Sequence, residues 1–141
     1  MAPFEKIERT DRCLYGPRKL LLCGFSSMAQ SKFAALLQML GIENLPLIWV
    51  SETQADKPIM DLLQYADGTG RHMDSHLDRA IIVAGIFEKE LHQLMSGCRQ
   101  TGMQSALWAA LTPTSEQWTM ERLLTELKAE RTAMANSKKN R

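Results

Sequence analysis

Two short phrases of the same design, 61 residues apart, constrain this chain more than anything else in it: Lys19 to Ser27, KLLLCGFSS, and Ala80 to Glu88, AIIVAGIFE. Each is a continuous apolar run that breaks on a glycine, Gly24 in one and Gly85 in the other. Such a run reads as a strand buried on both faces. After the first, Ser26 or Ser27 caps a helix whose apolar side is Met28, Phe33, Leu36, Leu37 and Leu40, and Gly41 stops it. Pro46 to Glu52 is then a second strand. In the second copy Gly102 stands 61 residues beyond Gly41, and Leu91, Leu94 and Met95 supply the helical stripe. Ser105 to Thr112 closes the unit, with Trp108 set against Trp49 after a two-residue deletion in the loop. A strand–helix–strand unit therefore occurs twice.

Between the units, Pro58 to Gly68 carries Ile59, Leu62 and Leu63 on a short helical face and reads as a helical crossover. After them, Met120, Leu123, Leu124, Leu127 and Met134 lie on one side of a long C-terminal helix. All four strands look covered on both faces, so the expected fold is α/β: two β-α-β pseudo-repeats in a mostly parallel four-stranded sheet between helical layers. The alternative is a ferredoxin-like α+β sandwich, with antiparallel neighbours and all helices on one face. A chain of 141 residues suits one core. The expected single domain spans 19–136, after an N-terminal segment over 1–18 and before a basic tail over 137–141.

Composition narrows the class without naming a function. With 45% hydrophobic and 23% charged residues the chain is of globular type. Its net charge of +1 conceals a basic end, since Lys128, Arg131, Lys138, Lys139 and Arg141 face Glu130 alone. That end reads as a solvated tail and not as a nucleic-acid or membrane contact. Cys13, Cys23 and Cys98 have neither disulfide nor zinc-ribbon spacing, which points to a reducing, cytoplasmic setting. No export signal or membrane anchor is read.

Three stretches and the methionine content carry candidate chemistry. Ser26 and Ser27 follow a strand and open a helix, where free N–H groups favour anions, although simple capping is the preferred reading of them. Gly24-Phe25-Ser26 starts like a nucleophile elbow, but Met28 replaces the final glycine. In Leu111 to Thr119, Thr112 is held extended by Pro113, Thr114 caps a turn with Gln117, and Thr119 restarts the helix beside Trp118. A parallel sheet would gather Ser26, Ser27, Glu88, Thr112 and Thr114 on one rim beyond the strand ends, where open α/β sheets bind ligands. The ferredoxin-like form would not. His72 and His76, four apart with Asp74 and Asp78, are weak metal candidates because Met73 stands where the zincin signature needs glutamate. Of nine methionines, Met28, Met39, Met60, Met95 and Met103 read as core gap-fillers.

The turn Gly24-Phe25-Ser26, the strand and helix opening near Gly85, and above all LTPTSEQWTMERLLTEL from Leu111 to Leu127 resemble a family of unknown function. That family is the bacterial domain of unknown function 3783, and the likeness runs from about Lys19 to Arg131. The resemblance implies a small cytoplasmic bacterial domain without an assigned activity, and marks Thr112, Pro113, Thr114 and Trp118 as positions to test. Ile86-Phe87 departs from the glycine–phenylalanine–serine turn. No acid pair, metal quartet, phosphate loop or triad is visible. The expected function is a non-enzymatic binding or regulatory module with no cofactor, acting through a protein partner or a second copy of itself. The alternative is a domain that holds an anionic metabolite or nucleotide at Ser26, Ser27, Thr112, Thr114 and Trp118.

Overall fold

The computed structural model describes the backbone of residues 12–139 and the side chains of 12–136. The first eleven residues and the basic side chains of 137–141 lie outside that range. The elements are β1 (Lys19–Cys23), α1 (Ser27–Leu40), β2 (Leu47–Val50), α2 (Ile59–Leu62), β3 (Ala80–Ala84), α3 (Glu88–Gln100), β4 (Leu107–Ala110) and α4 (Met120–Lys139). The four strands form one sheet in the order β2-β1-β3-β4.

The sheet is mixed, which corrects the mostly parallel expectation. β1 is parallel to β2 and β3 to β4, but β1 and β3 meet antiparallel at the centre. Two copies of a unit share one sheet either by translation, which keeps every strand parallel, or by a half-turn, which makes the seam antiparallel. Here the half-turn is used. The seam pairs Leu20 with Val83, Leu21 with Ile82 and Leu22 with Ile81, so its centre falls on Leu21 and Ile82, themselves 61 apart. The outer pairs keep that offset without any deletion: Leu20 joins Leu47 as Ile81 joins Trp108. Trp108 is thus the counterpart of Leu47, and its alignment with Trp49 is corrected.

The same half-turn carries both long helices of the repeats onto one face. Leu36 of α1 and Gly97 of α3 are also 61 apart and meet each other: a Cβ on Gly97 would lie 2.9 Å from Leu36 Cδ1. Two identical large residues would collide on such an axis, so one position is leucine and the other has no side chain. Phe33, Leu94, Leu20, Leu22, Ile81 and Val83 fill this side of the sheet. On the other side, Ile59 and Leu62 of α2 and Met120, Leu123 and Leu124 of α4 cover Leu21, Ile48 and Ile82. Helices on both faces set this fold apart from the ferredoxin-like alternative. Each fully buried leucine or isoleucine contributes about 1.5–3 kcal/mol.

Gly24 and Gly85, with φ of 77° and 61°, end the central strands in the left-handed region. A Cβ would strike the backbone of Leu77 and Arg79 at the first and of Gly16 to Arg18 at the second. The phrase repeats because each unit needs the same turn against the other's incoming chain. Gly41 and Gly102 likewise end α1 and α3 with φ of 72° and 70°.

The middle connection is less helical than expected. Only Ile59–Leu62 forms an α-helix, and the chain then runs along the outer edge of β2. Leu47 donates its N–H to Asp67 Oδ1 (2.8 Å), Gly68 donates to the Leu47 carbonyl (2.9 Å) and Trp49 donates to the Thr69 carbonyl (2.9 Å). Met28, Met39 and Met60 are exposed and do not fill the core. Met134 is exposed too, because α4 extends past the sheet it covers. Residues 12–17 pack against the second turn, with Leu14 donating to the Ile86 carbonyl (2.8 Å) and Gly85 to that of Tyr15 (3.0 Å). Among the described residues no helix is long and apolar enough to cross a membrane.

Candidate functional site

The antiparallel seam separates the residues that a parallel sheet would have gathered. Strands β1 and β2 end at one edge, β3 and β4 at the other, so Ser26 and Ser27 lie across the sheet from Glu88, Thr112 and Thr114. Most of these polar groups are also taken up by neighbours. Ser26 Oγ caps α1 by accepting from Ala29 N–H (3.2 Å). Ser27 donates its N–H to Asp74 Oδ1 (2.7 Å) and its hydroxyl to the His72 carbonyl (2.9 Å). Thr112 and Ser115 bond each other reciprocally, with Thr112 N–H to Ser115 Oγ at 3.0 Å and Ser115 N–H to Thr112 Oγ1 at 2.9 Å. That pair closes the turn, which leaves Thr114 without the capping bond expected of it. Thr119 Oγ1 does accept from Arg122 N–H (3.2 Å) at the start of α4. Trp118 packs against the core with the Arg122 guanidinium 4.3 Å from its ring.

The His72–His76 stretch is irregular, so a four-residue spacing does not align the two rings. His72 has φ of 71°, donates its N–H to Gln30 Oε1 and ties the turn to α1. Among the described residues no three His, Cys, Asp or Glu side chains gather to hold a metal.

What the structure brings to Ser26 is Arg79, a residue the sequence reading passed over. Arg79 precedes β3 at the edge where β1 ends and lines three hollows. One, about 230 Å³, also holds Asp78 paired with Lys128 (3.4 Å). The second, about 190 Å³, is lined by Ser26, Ala29, Lys32, Gly102 and Gln104 among others. The third, about 380 Å³, is lined by Phe25, Met95, Cys98, Arg99, Met103 and Trp108 among others. Among the described residues no carboxylate lines either of these last two. Arg79 Nε donates to the Gly24 carbonyl (2.9 Å), and its guanidinium lies 4.0 Å from the Phe25 ring centroid. Its two terminal nitrogens have no acceptor among the described residues. Burial pulls this guanidinium below its ordinary pKa, and no carboxylate opposes that.

The internal half-turn supplies a comparison. Arg18 stands 61 residues before Arg79, at the opposite edge, and forms a bidentate pair with Glu90: Nη1 to Oε1 at 2.7 Å and Nη2 to Oε2 at 2.8 Å. Glu90 is the third residue of α3 and also accepts from Phe87 N–H (2.9 Å). Its hydrogen bonds from Arg18 hold its carboxyl below the usual range, and Arg18 is raised in return. The equivalent third residue of α1 is Ala29. One arginine carries its own carboxylate; the other faces a cavity where that carboxylate would be.

A larger hollow of about 580 Å³ runs along α3 beside Leu40, where Gly97 opens the helix crossing. Among the described residues it is an open trough whose polar lining, Glu88, Lys89 and His92, faces solvent, and it lacks convergent buried donors. Burial makes two of the cysteines poor nucleophiles near neutrality, pushing the Cys23 thiol up to about 12 and raising Cys98 as well.

Residues 79–134 match the family described as Domain of unknown function (DUF3783), which places that domain on β3, α3, β4 and most of α4. The match begins at Arg79 and takes in Leu111 to Leu127, but not the stretch from Lys19 over which the sequence likeness was read. No curated protein and no solved structure matches the chain.

Proposed function

We propose that this chain is a non-enzymatic ligand-binding domain, and that its cleft at Arg79 takes a small molecule bearing a carboxylate or phosphate. The observation that carries this reading is the unanswered guanidinium of Arg79 where its counterpart Arg18 grips Glu90. An incoming anion would accept from the two terminal nitrogens of Arg79, with Lys32 and the amide of Gln104 at the same wall. Trp108, Met95 and Met103 line the deeper hollow and suit an apolar body attached to the anionic group. Among the described residues no paired acid and base and no activated thiol stands in the cleft, which favours holding over turnover.

Inorganic phosphate, citrate, aromatic carboxylates and nucleotides, each titrated against the purified chain by thermal shift and calorimetry, test this. A ligand at about 100 times its dissociation constant adds roughly 2.7 kcal/mol, a rise of several degrees. Binding that vanishes in Arg79→Gln and persists in Arg18→Gln supports the site. Binding that survives Arg79→Gln, or no response to any of these anions, rejects it.

A further inference from the structure

The internal half-turn exposes a second imbalance, at the two outer edges of the sheet. On β2 the outward-facing backbone groups belong to Leu47 and Trp49, and Asp67, Gly68 and Thr69 satisfy both N–H groups and the Leu47 carbonyl. Their counterparts on β4 are Trp108 and Ala110. Leu107 and Leu111 turn their N–H groups inward, donating to the Arg79 and Val83 carbonyls at 2.9 Å, so Trp108 and Ala110 turn theirs out. Among the described residues nothing accepts from them. Natural sheets protect such edges with charge, proline or a bulge, and Leu107-Trp108-Ala109-Ala110 has none of these.

We infer that β4 pairs with β4 of a second copy of this chain, antiparallel about a two-fold axis at Ala109. In that register Trp108 and Ala110 of one copy exchange both backbone bonds with Ala110 and Trp108 of the other, so all four open N–H groups are satisfied. The side chains suit it, because a large ring then lies opposite a methyl on one face, as Leu36 lies opposite Gly97 on the internal axis. Charge suits it as well. Arg131, bonded to Ser105 Oγ (2.9 Å), flanks the start of β4 and Glu116 follows its end, and reversal of the second copy brings those ends together. The result is an eight-stranded sheet in which each new pairing is again an antiparallel two-fold seam.

Sedimentation equilibrium over a wide concentration range, with amide exchange followed at Trp108 and Ala110, tests the pairing. The expected result is reversible doubling of the mass, with both amides slowing as concentration rises. Ala110→Pro removes one outward donor and no inward one, so it should be monomeric, with the melting temperature the wild type shows at concentrations too low to dimerise. Should that variant misfold, Ala110→Lys, at an exposed position, takes its place and should be equally monomeric. A wild type that stays monomeric at every concentration overturns the inference, as does a folded variant of either kind that still dimerises. Protection of β4 by an added extended peptide in a protein that never doubles its mass overturns it too.

Discussion

Ala29→Glu writes into the first repeat the carboxylate that Glu90 supplies to the second. Position 29 is the third residue of α1 and shares a cavity wall with Arg79, so the new side chain reaches Arg79 and the Ser26 N–H as Glu90 reaches Arg18 and the Phe87 N–H. A partly exposed ion pair contributes about 0.2–1 kcal/mol. An acidic group in the first helical turn adds about 0.3–1 kcal/mol, and ordering a glutamate side chain costs up to about 2 kcal/mol when it is fully fixed. Ala29 is only half buried, so that cost is incomplete and the net gain comes to about 0.5 kcal/mol, or roughly 2 °C in melting temperature. The assay is a thermal melt of Ala29→Glu, Arg79→Gln and the double variant. The gain should disappear when Arg79 is absent, and the single variant should no longer respond to any anion that stabilises the wild type. The gain should also fade in acid, since a carboxylate held by a guanidinium protonates below its unfolded pKa. A glutamate that stabilises the Arg79→Gln protein equally, or that leaves anion binding intact, would refute the comparison between the two edges.

Glu90→Gln removes the carboxylate that Arg18 grips. With side chains only 15% and 29% exposed, the loss should be about 1–3 kcal/mol at pH 7. Because the folded pKa of Glu90 lies below the ordinary 4.5, the wild-type advantage is complete above that value and is lost as pH falls through the folded pKa. Denaturant melts of the two proteins should therefore converge in acid. Gly97→Leu should cost about 1–3 kcal/mol by forcing a second leucine onto the axis, and Leu36→Ala in the same chain should recover at least half of it. Strictly additive losses in urea would show that the two positions do not meet. Trp49 packs edge-to-face with Phe25 and Phe33 at 5.4 and 6.3 Å, but its buried Nε1 has no hydrogen-bond partner. Trp49→Phe should cost less than about 1.5 kcal/mol by circular dichroism, since the lost ring area is offset by removal of an unpaired donor.

The parts of this architecture visible in the sequence are those that tolerate few residues. Gly24, Gly41, Gly85 and Gly102 all have positive φ, and glycine accepts that at least cost, so the pairs at a fixed offset mark both units. The four apolar runs mark strands because both faces are covered. The relation between the units was hidden, because a repeated phrase fits a translation as well as a half-turn. The clue lay in Leu36 and Gly97, which fill corresponding places yet cannot be alike if they touch. The site divides in the same way. Ser26 was legible as a cap, whereas Thr114 lost that part to the closer Thr112–Ser115 pair. Arg79 went unread although it precedes its apolar phrase as Arg18 does, and the contrast of Glu90 with Ala29 was present in the letters.

The central seam also sets an order of events. Within each repeat the parallel strands pair residues 27 positions apart, whereas the seam joins Lys19 to Ala84 and Cys23 to Ala80, more than twice as far along the chain. Closing the longer loop costs more entropy and brings its reward only once both partners present a strand. Each half therefore acquires its local shape first, and their docking limits the folding rate. Truncating Leu21 or Ile82, fully buried at the middle of the seam, or an outer strand already paired within its half, then slows folding, while changes at contacts completed only after docking mainly speed unfolding.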